Sequence, residues 1–216
     1  MSDQEPTTRY AVLVPVKPPA VGKSRLAELD AGASRRRLAE AFAQDTVLAC
    51  LRAETVRQVL VVTDDARFSQ VLSALGCTAI PDGVSGDLNA TLRQAAAEAH
   101  RRWPDLVPVA VCADLPALRS DDLDAVLGVL ETGRPSFVPD AAGVGTTMYV
   151  AAHDEFDPHF GPGSRDAHLD AGARELAGVP ASVRRDVDDP ADLAAAVELG
   201  VGPHTSVALL AANPTP

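Results

Sequence analysis

Short apolar runs alternate along the chain with stretches whose apolar residues recur every three or four positions. The runs are rich in valine and leucine on both parities, which is the pattern of strands buried on both faces. Strands are expected at Tyr10–Val16, Val56–Val62, Thr78–Ile80, Val107–Cys112 and Ser136–Val138. Between them, helical spacing predicts helices over Ser34–Ala53, with Ser34 as N-cap, and over Ala66–Leu75, Leu88–Arg102 and Ser120–Leu130. In the third of these, Leu88, Leu92, Ala95, Ala96 and Ala99 share one face with Trp103, so the single tryptophan reads as core rather than as a platform for a ligand.

Regular strand–helix alternation up to residue 138 implies α/β architecture, a mostly parallel sheet flanked by helices. The second half is less regular. Thr147–Ala152 is expected as a strand, Ser164–Ala173 as a short helix and Ser182–Val187 as an edge strand. Pro190–Leu199 reads as a helix with Asp189 at N-cap and Pro190 at its first position. The organisation expected is a polar arm over 1–9, one domain over 10–205 and a tail over 206–216.

Composition narrows the function classes. With 46% hydrophobic residues in 216, the chain can fill a core, and its net charge of −11 argues against sequence-independent nucleic-acid binding, which needs a basic face. Nucleotides stay open, because backbone N–H groups, a few cations and a metal suffice to hold them. No apolar run reaches the roughly 18–20 residues of a membrane span. Met1–Arg9 has no hydrophobic signal core, so a cytoplasmic location is expected. Cys50, Cys77 and Cys112 lack metal-ligand spacing and read as small core hydrophobes.

Three loops and one strand end carry candidate chemistry. The Val107–Cys112 run stops at Ala113-Asp114-Leu115-Pro116, and Pro116 has no N–H with which to continue a ladder. Asp114 then stands at the carboxyl end of a central strand, where open α/β sheets bind ligands, and a carboxylate there suits Mg²⁺. Its plain alternative is a turn cap. Lys17, Lys23 and Arg25 crowd around Gly22 after the first strand. The position a P-loop needs as its first glycine holds Lys17, so this is no P-loop. It is either a triphosphate-neutralising loop or a solvated basic turn.

Asp186 and Asp188, two apart on the expected strand, project to one side and form a second acidic pair, unless Asp188 only helps to cap the next helix. Gly143-Val144-Gly145-Thr146 and Phe160-Gly161-Pro162-Gly163-Ser164 are small-residue loops suited to an anion. His153, His159 and His168 lack metal spacing and read as surface or loop residues. Asp45 falls within an apolar helical face, where a carboxylate must be paired or hydrogen-bonded. Its expected role is structural, tying down the N-terminus of a neighbouring loop.

Taken in order, Val14-Pro15-Val16-Lys17, Lys23-Ser24-Arg25-Leu26, Asp87-Leu88-Asn89, Ala113-Asp114-Leu115-Pro116, Gly145-Thr146, Phe160-Gly161-Pro162-Gly163-Ser164 and Asp186-Val187-Asp188 resemble the CofC/FbiD guanylyltransferases of coenzyme F420 biosynthesis. The resemblance spans about residues 10–205 and leans toward the actinobacterial phosphoenolpyruvate branch. Ala113 departs from it, since the family often has glycine before the aspartate. The resemblance implies a single nucleotide-diphospho-sugar-transferase-like, Rossmann-like domain that moves GMP from GTP to a three-carbon phospho-acid and releases pyrophosphate. It implies phosphoenolpyruvate binding by Thr146, Gly161 and Ser164, and Mg²⁺ held by Asp114 with Asp186 or Asp188. It also implies triphosphate binding by Lys17, Lys23 and Arg25, a guanosine contact from Asn89 and handover of the product to the downstream transferase of the pathway.

The attacking phosphate is already ionised at neutral pH, so no general base is needed, in keeping with a chain that displays carboxylates, lysines and glycines. 2-Phospholactate and 3-phosphoglycerate stay open as substrates, as does another nucleotide. A non-catalytic nucleotide- or anion-binding module is the alternative of a different class. A monomer or a homodimer fits equally.

Overall fold

The computed structural model describes residues 8–16, 31–84, 86–130 and 133–212. Seven strands form one sheet: β1 (Tyr10–Pro15), β2 (Val56–Val62), β3 (Thr78–Ile80), β4 (Val107–Val111), β5 (Ser136–Pro139), β6 (Thr146–Val150) and β7 (Arg174–Glu175). Their order across it is β3-β2-β1-β4-β6-β5-β7. The first four are mutually parallel, β6 runs antiparallel to both β4 and β5, and β7 lies parallel to β5. The helices are α1 (Ala31–Arg52), α2 (Ala66–Ala74), α3 (Leu88–Arg102), α4 (Ser120–Leu127), α5 (Ser164–Asp170), α6 (Ala181–Arg184), α7 (Pro190–Leu199) and α8 (Pro203–Ala212).

Strand periodicity sorts the core into two layers. Tyr10, Val12 and Val14 of β1 face the layer that holds Val47 and Cys50 of α1, Phe68 and Leu72 of α2, and Leu123 and Leu127 of α4. Ala11 and Leu13 face the opposite layer, with Leu92, Ala95, Ala96 and Ala99 of α3. Trp103 packs against that second layer, as its helical spacing predicts. The chain leaves β1 toward β2 on one side and β4 toward β5 on the other, so the neighbouring carboxyl ends of β1 and β4 form a topological switch point. A third cluster joins Leu38 and Phe42 of α1 to Ala117, Val187 and the helices α7 and α8.

Several expectations need correction. Residues 182–187 are not an edge strand. Residues 181–184 make one helical turn, because the Thr147 hydroxyl donates to Val183 O (2.7 Å) and the Ser182 hydroxyl donates to Asp122 (2.6 Å). The edge strand on that side is the two-residue β7. Helix α1 begins at Ala31, so Ser34 lies within it rather than at its cap. Gly128 closes α4 before Leu130. The stretch read as tail from 206 continues α8, which begins at Pro203. Asp189 caps α7 through the N–H groups of Ala191 and Asp192, as expected. Among the described residues no helix is long and apolar enough to cross a membrane.

Candidate active site

β4 ends at Val111, and the turn after it is fixed from below by a residue that the sequence reading passed over. Thr46, wholly buried on α1, accepts from Leu115 N (3.1 Å) and shares its one hydroxyl hydrogen between Phe42 O and Ala113 O (2.9 and 3.3 Å). Both neighbours of Asp114 are therefore tied to α1, and Asp114 itself stays half-buried at the strand end. A hydroxyl in the middle of a buried helical face was the available signal.

The second acidic segment is brought to the first by the main chain. Val187 N donates to Asp114 O (3.1 Å), and the Val187 side chain is buried in the third cluster. Asp186 and Asp188 flank this anchor on an irregular segment rather than a strand, and the charges of Asp114 and Asp188 both act on Asp186. Asp186 is half-buried, while Asp188 is exposed and has its N–H held by Asp192 (3.2 Å). Burial, then the charges of Asp114, Asp188 and Asp140, push the Asp186 carboxyl up to about 7.

Such crowding is what a cation relieves, and oxygen donors of this kind fit Mg²⁺, which is commonly bound by one or two carboxylates with substrate phosphates completing its shell. No group of three or more His, Cys, Asp or Glu among the described residues is arranged to hold a metal ion. Lys17, Lys23 and Arg25, the expected triphosphate ligands, lie outside the described residues.

The two small-residue loops meet. Asp140, at the end of β5, accepts from Val144 N and Gly145 N (2.9 and 2.8 Å), and a Cβ at Gly145 would collide with that carboxylate. Arg184 braces the turn by donating to Pro139 O and Asp140 O. Arg165 N then donates to Val144 O (3.2 Å), joining the start of α5 to this turn. Gly163 caps α5 in the left-handed region (φ 69°), and Ser164 N donates to Gly161 O. Thr146 and Ser164 are both buried, and Gly161 is exposed.

Two further residues hold the 159–164 loop. Asn89, the expected guanosine contact, has both ends of its carboxamide on the main chain of one residue: Nδ2 donates to Phe160 O (2.9 Å) and Oδ1 accepts from Phe160 N (2.7 Å). That makes it a brace for the loop. His168, expected as a surface or loop residue, lies on α5 and is fully buried. Its Nε2 accepts from His159 N (2.9 Å), and its Nδ1 lies 2.8 Å from Ser164 O and 3.0 Å from Thr146 Oγ1. Burial among Phe137, Tyr149 and Phe160 lowers its pKa to about 4. Histidine spacing alone gave no hint of this, because the partners are backbone groups and one hydroxyl.

Asp45 performs the structural role expected of it. Oδ1 and Oδ2 accept from His204 N and Thr205 N (3.0 and 2.8 Å) at the first turn of α8. Cys50 and Cys77 are buried, and burial pushes their thiols up to about 12 and 11. Cys112 is half-buried and is also unbridged.

Known proteins resemble the chain at two levels. In fold, the chain superposes on a nucleotidyl transferase from Methanothermobacter with TM-score 0.64 and 17% identity, covering 88% of this chain and 97% of that one. It also superposes on a Desulfovibrio desulfuricans protein assigned to the nucleotide-diphospho-sugar transferases with TM-score 0.60 and 18% identity, covering 78% and 80%. In sequence, it is 49% identical over 206 residues to a phosphoenolpyruvate guanylyltransferase of Streptomyces scabiei, covering 93% of this chain and 95% of the relative. The enzyme of that name from Thermomonospora curvata is also 49% identical, over 200 residues, covering 91% and 87%. The family described as "Guanylyl transferase CofC like" matches residues 10–207, which include every acidic and small-residue segment just described. With a nucleotidyltransferase fold and that match across nearly its whole length, the chain belongs to the CofC-like guanylyl transferases.

Proposed function

We propose that the protein transfers GMP from GTP to phosphoenolpyruvate, releasing pyrophosphate and forming enolpyruvyl-diphospho-guanosine for coenzyme F420 biosynthesis in the cytoplasm. The observation that carries this reading is the Val187–Asp114 main-chain bond, which gathers Asp114, Asp186 and Asp188 at the β1/β4 switch point of a chain in a guanylyl transferase family. The naming of its relatives supports phosphoenolpyruvate as the acceptor.

A phosphate oxygen of the acid attacks the α-phosphorus in line, and the bond to the oxygen bridging the α- and β-phosphates breaks as pyrophosphate leaves. The nucleophile carries its own charge, so the protein's task is placement and charge neutralisation. Asp114 with Asp186 or Asp188 would hold Mg²⁺, which when bound neutralises phosphate charge. Lys17, Lys23 and Arg25 take the triphosphate in this reading, while Thr146, Gly161 and Ser164 take the acid.

The test is a Mg²⁺-dependent assay with GTP or CTP and each of phosphoenolpyruvate, 2-phospholactate and 3-phosphoglycerate. The downstream transferase and its deazaflavin acceptor are included to trap the product for mass spectrometry. An adduct formed from GTP and phosphoenolpyruvate is expected. An adduct from 2-phospholactate alone would move the substrate. Nucleotide binding without pyrophosphate from any pair, with the coupling enzyme active, would replace catalysis by a binding role.

A further inference from the structure

His168 has both ring nitrogens engaged, and the partners decide where its proton sits. Nε2 accepts the backbone N–H of His159, so it carries no hydrogen. The neutral ring must then be protonated at Nδ1, which faces Ser164 O at 2.8 Å and Thr146 Oγ1 at 3.0 Å. A protonated Nδ1 has no lone pair to offer. Its one hydrogen is shared between Ser164 O, the nearer, and Thr146 Oγ1, so toward the ring Thr146 Oγ1 acts only as an acceptor and its own hydroxyl hydrogen is turned away from Nδ1. Phe137 and Tyr149 stack on the ring (5.2 and 4.9 Å between centroids), while the edge-on Phe160 closes it in (5.6 Å). This enclosure disfavours the imidazolium, in which an Nε2 hydrogen would oppose the His159 N–H.

The geometry points to His168 as a positioning residue that fixes the Thr146 hydroxyl as a hydrogen-bond donor toward the anionic acid substrate. It rests on the reading of Thr146 as a phosphoenolpyruvate ligand. Carboxylate and phosphate oxygens are acceptors, so a hydroxyl that could rotate to accept would lose its value to them. The relay runs from the His159 N–H through the ring to Thr146, and it joins the two loops of the acid site through one side chain.

Two measurements test it. Ring ¹⁵N shifts of the wild-type protein at neutral pH should show a protonated Nδ1 and a bare Nε2 at His168; the opposite tautomer or an imidazolium overturns the proposal. Kinetics of His168→Leu, His168→Asn, Thr146→Val and His168→Leu/Thr146→Val then give the coupling. His168→Leu should raise the KM for phosphoenolpyruvate about tenfold or more with the GTP KM within about twofold. His168→Asn, which keeps an N–H donor near the Nδ1 position, should recover much of that loss.

In the double variant the Leu and Val effects should be less than additive. Equal rises in both KM values, no rescue by Asn, or full additivity overturns the proposal. Should His168→Leu fail to fold, the tautomer and the His168→Asn against Thr146→Val comparison still decide. A wild type that turns over another acid but not phosphoenolpyruvate refutes the substrate reading, and the positioning proposal with it.

Discussion

Asp114 and His168 are at opposite ends of legibility. The sequence marked Asp114 because an apolar strand ends there beside a proline, and the structure anchors both of its neighbours to Thr46. On the proposed function, Asp114→Asn should reduce turnover about 100- to 1000-fold with a melting temperature no lower than that of the wild type, since it removes a charge that would act on the phosphates and relieves the repulsion on Asp186. Full activity in Mg²⁺ would remove Asp114 from the machinery. His168 was illegible, because its partners are a backbone N–H, a backbone carbonyl and a hydroxyl that only the fold brings together.

The effect of His168 on stability has a definite sign. Its folded pKa of about 4 lies below the roughly 6.5 of an unfolded histidine, so the unfolded chain binds the extra proton between those values. The stability it contributes is fully present above about 6.5 and is lost as pH falls toward 4. In urea titrations the gap between wild type and His168→Asn should narrow from pH 7 to 4.5. A constant gap would contradict the buried neutral ring.

Among the elements, those built from local pattern came through nearly unchanged, and the ones remade by tertiary partners did not. Strand β3 and the helices α3 and α7 keep the bounds that their spacing and caps predict. Residues 181–184 coil because Thr147 and Asp122 supply hydrogen bonds that no window of sequence contains. Two predictions belong to this scale. Thr46→Val keeps the shape of the side chain but leaves Leu115 N without its acceptor, at a cost of about 1–3 kcal/mol. In enzyme assays it should lower kcat more than it raises either KM, because Asp114 loses its footing. Asp45→Ala strips the first turn of α8 of two buried acceptors and should destabilise the protein by about 2 kcal/mol in urea unfolding, the upper end for a cap. Gly202 approaches so closely that a Cβ there would strike the Asp45 carboxyl, which makes Gly202→Ala a second route to the same loss.

For the whole molecule, the acidic site depends on a helix far from it in sequence. Ala208 and Leu209 of α8 pack on the cluster of Leu38, Phe42, Ala117 and Val187, and Val187 is the residue that presents Asp186 and Asp188 to Asp114. Ending the chain after Gly202 should therefore lower the melting temperature by about 10 °C and cost activity beyond that expected from stability alone. An active, equally stable truncation would show that α8 does not support the site. By itself, the sequence determined the α/β alternation, the two-layer core and the acidic and small-residue segments, because period-2 and period-3.6 burial and strand-ending prolines are local signals. Tertiary structure alone decided that residues 181–184 coil, that α8 is core-packed rather than tail, that Asn89 braces a loop and that His168 joins Thr146 to Ser164. Each of these rests on hydrogen bonds or packing between groups distant in sequence or on main-chain partners, and those partners become available only when the chain has folded.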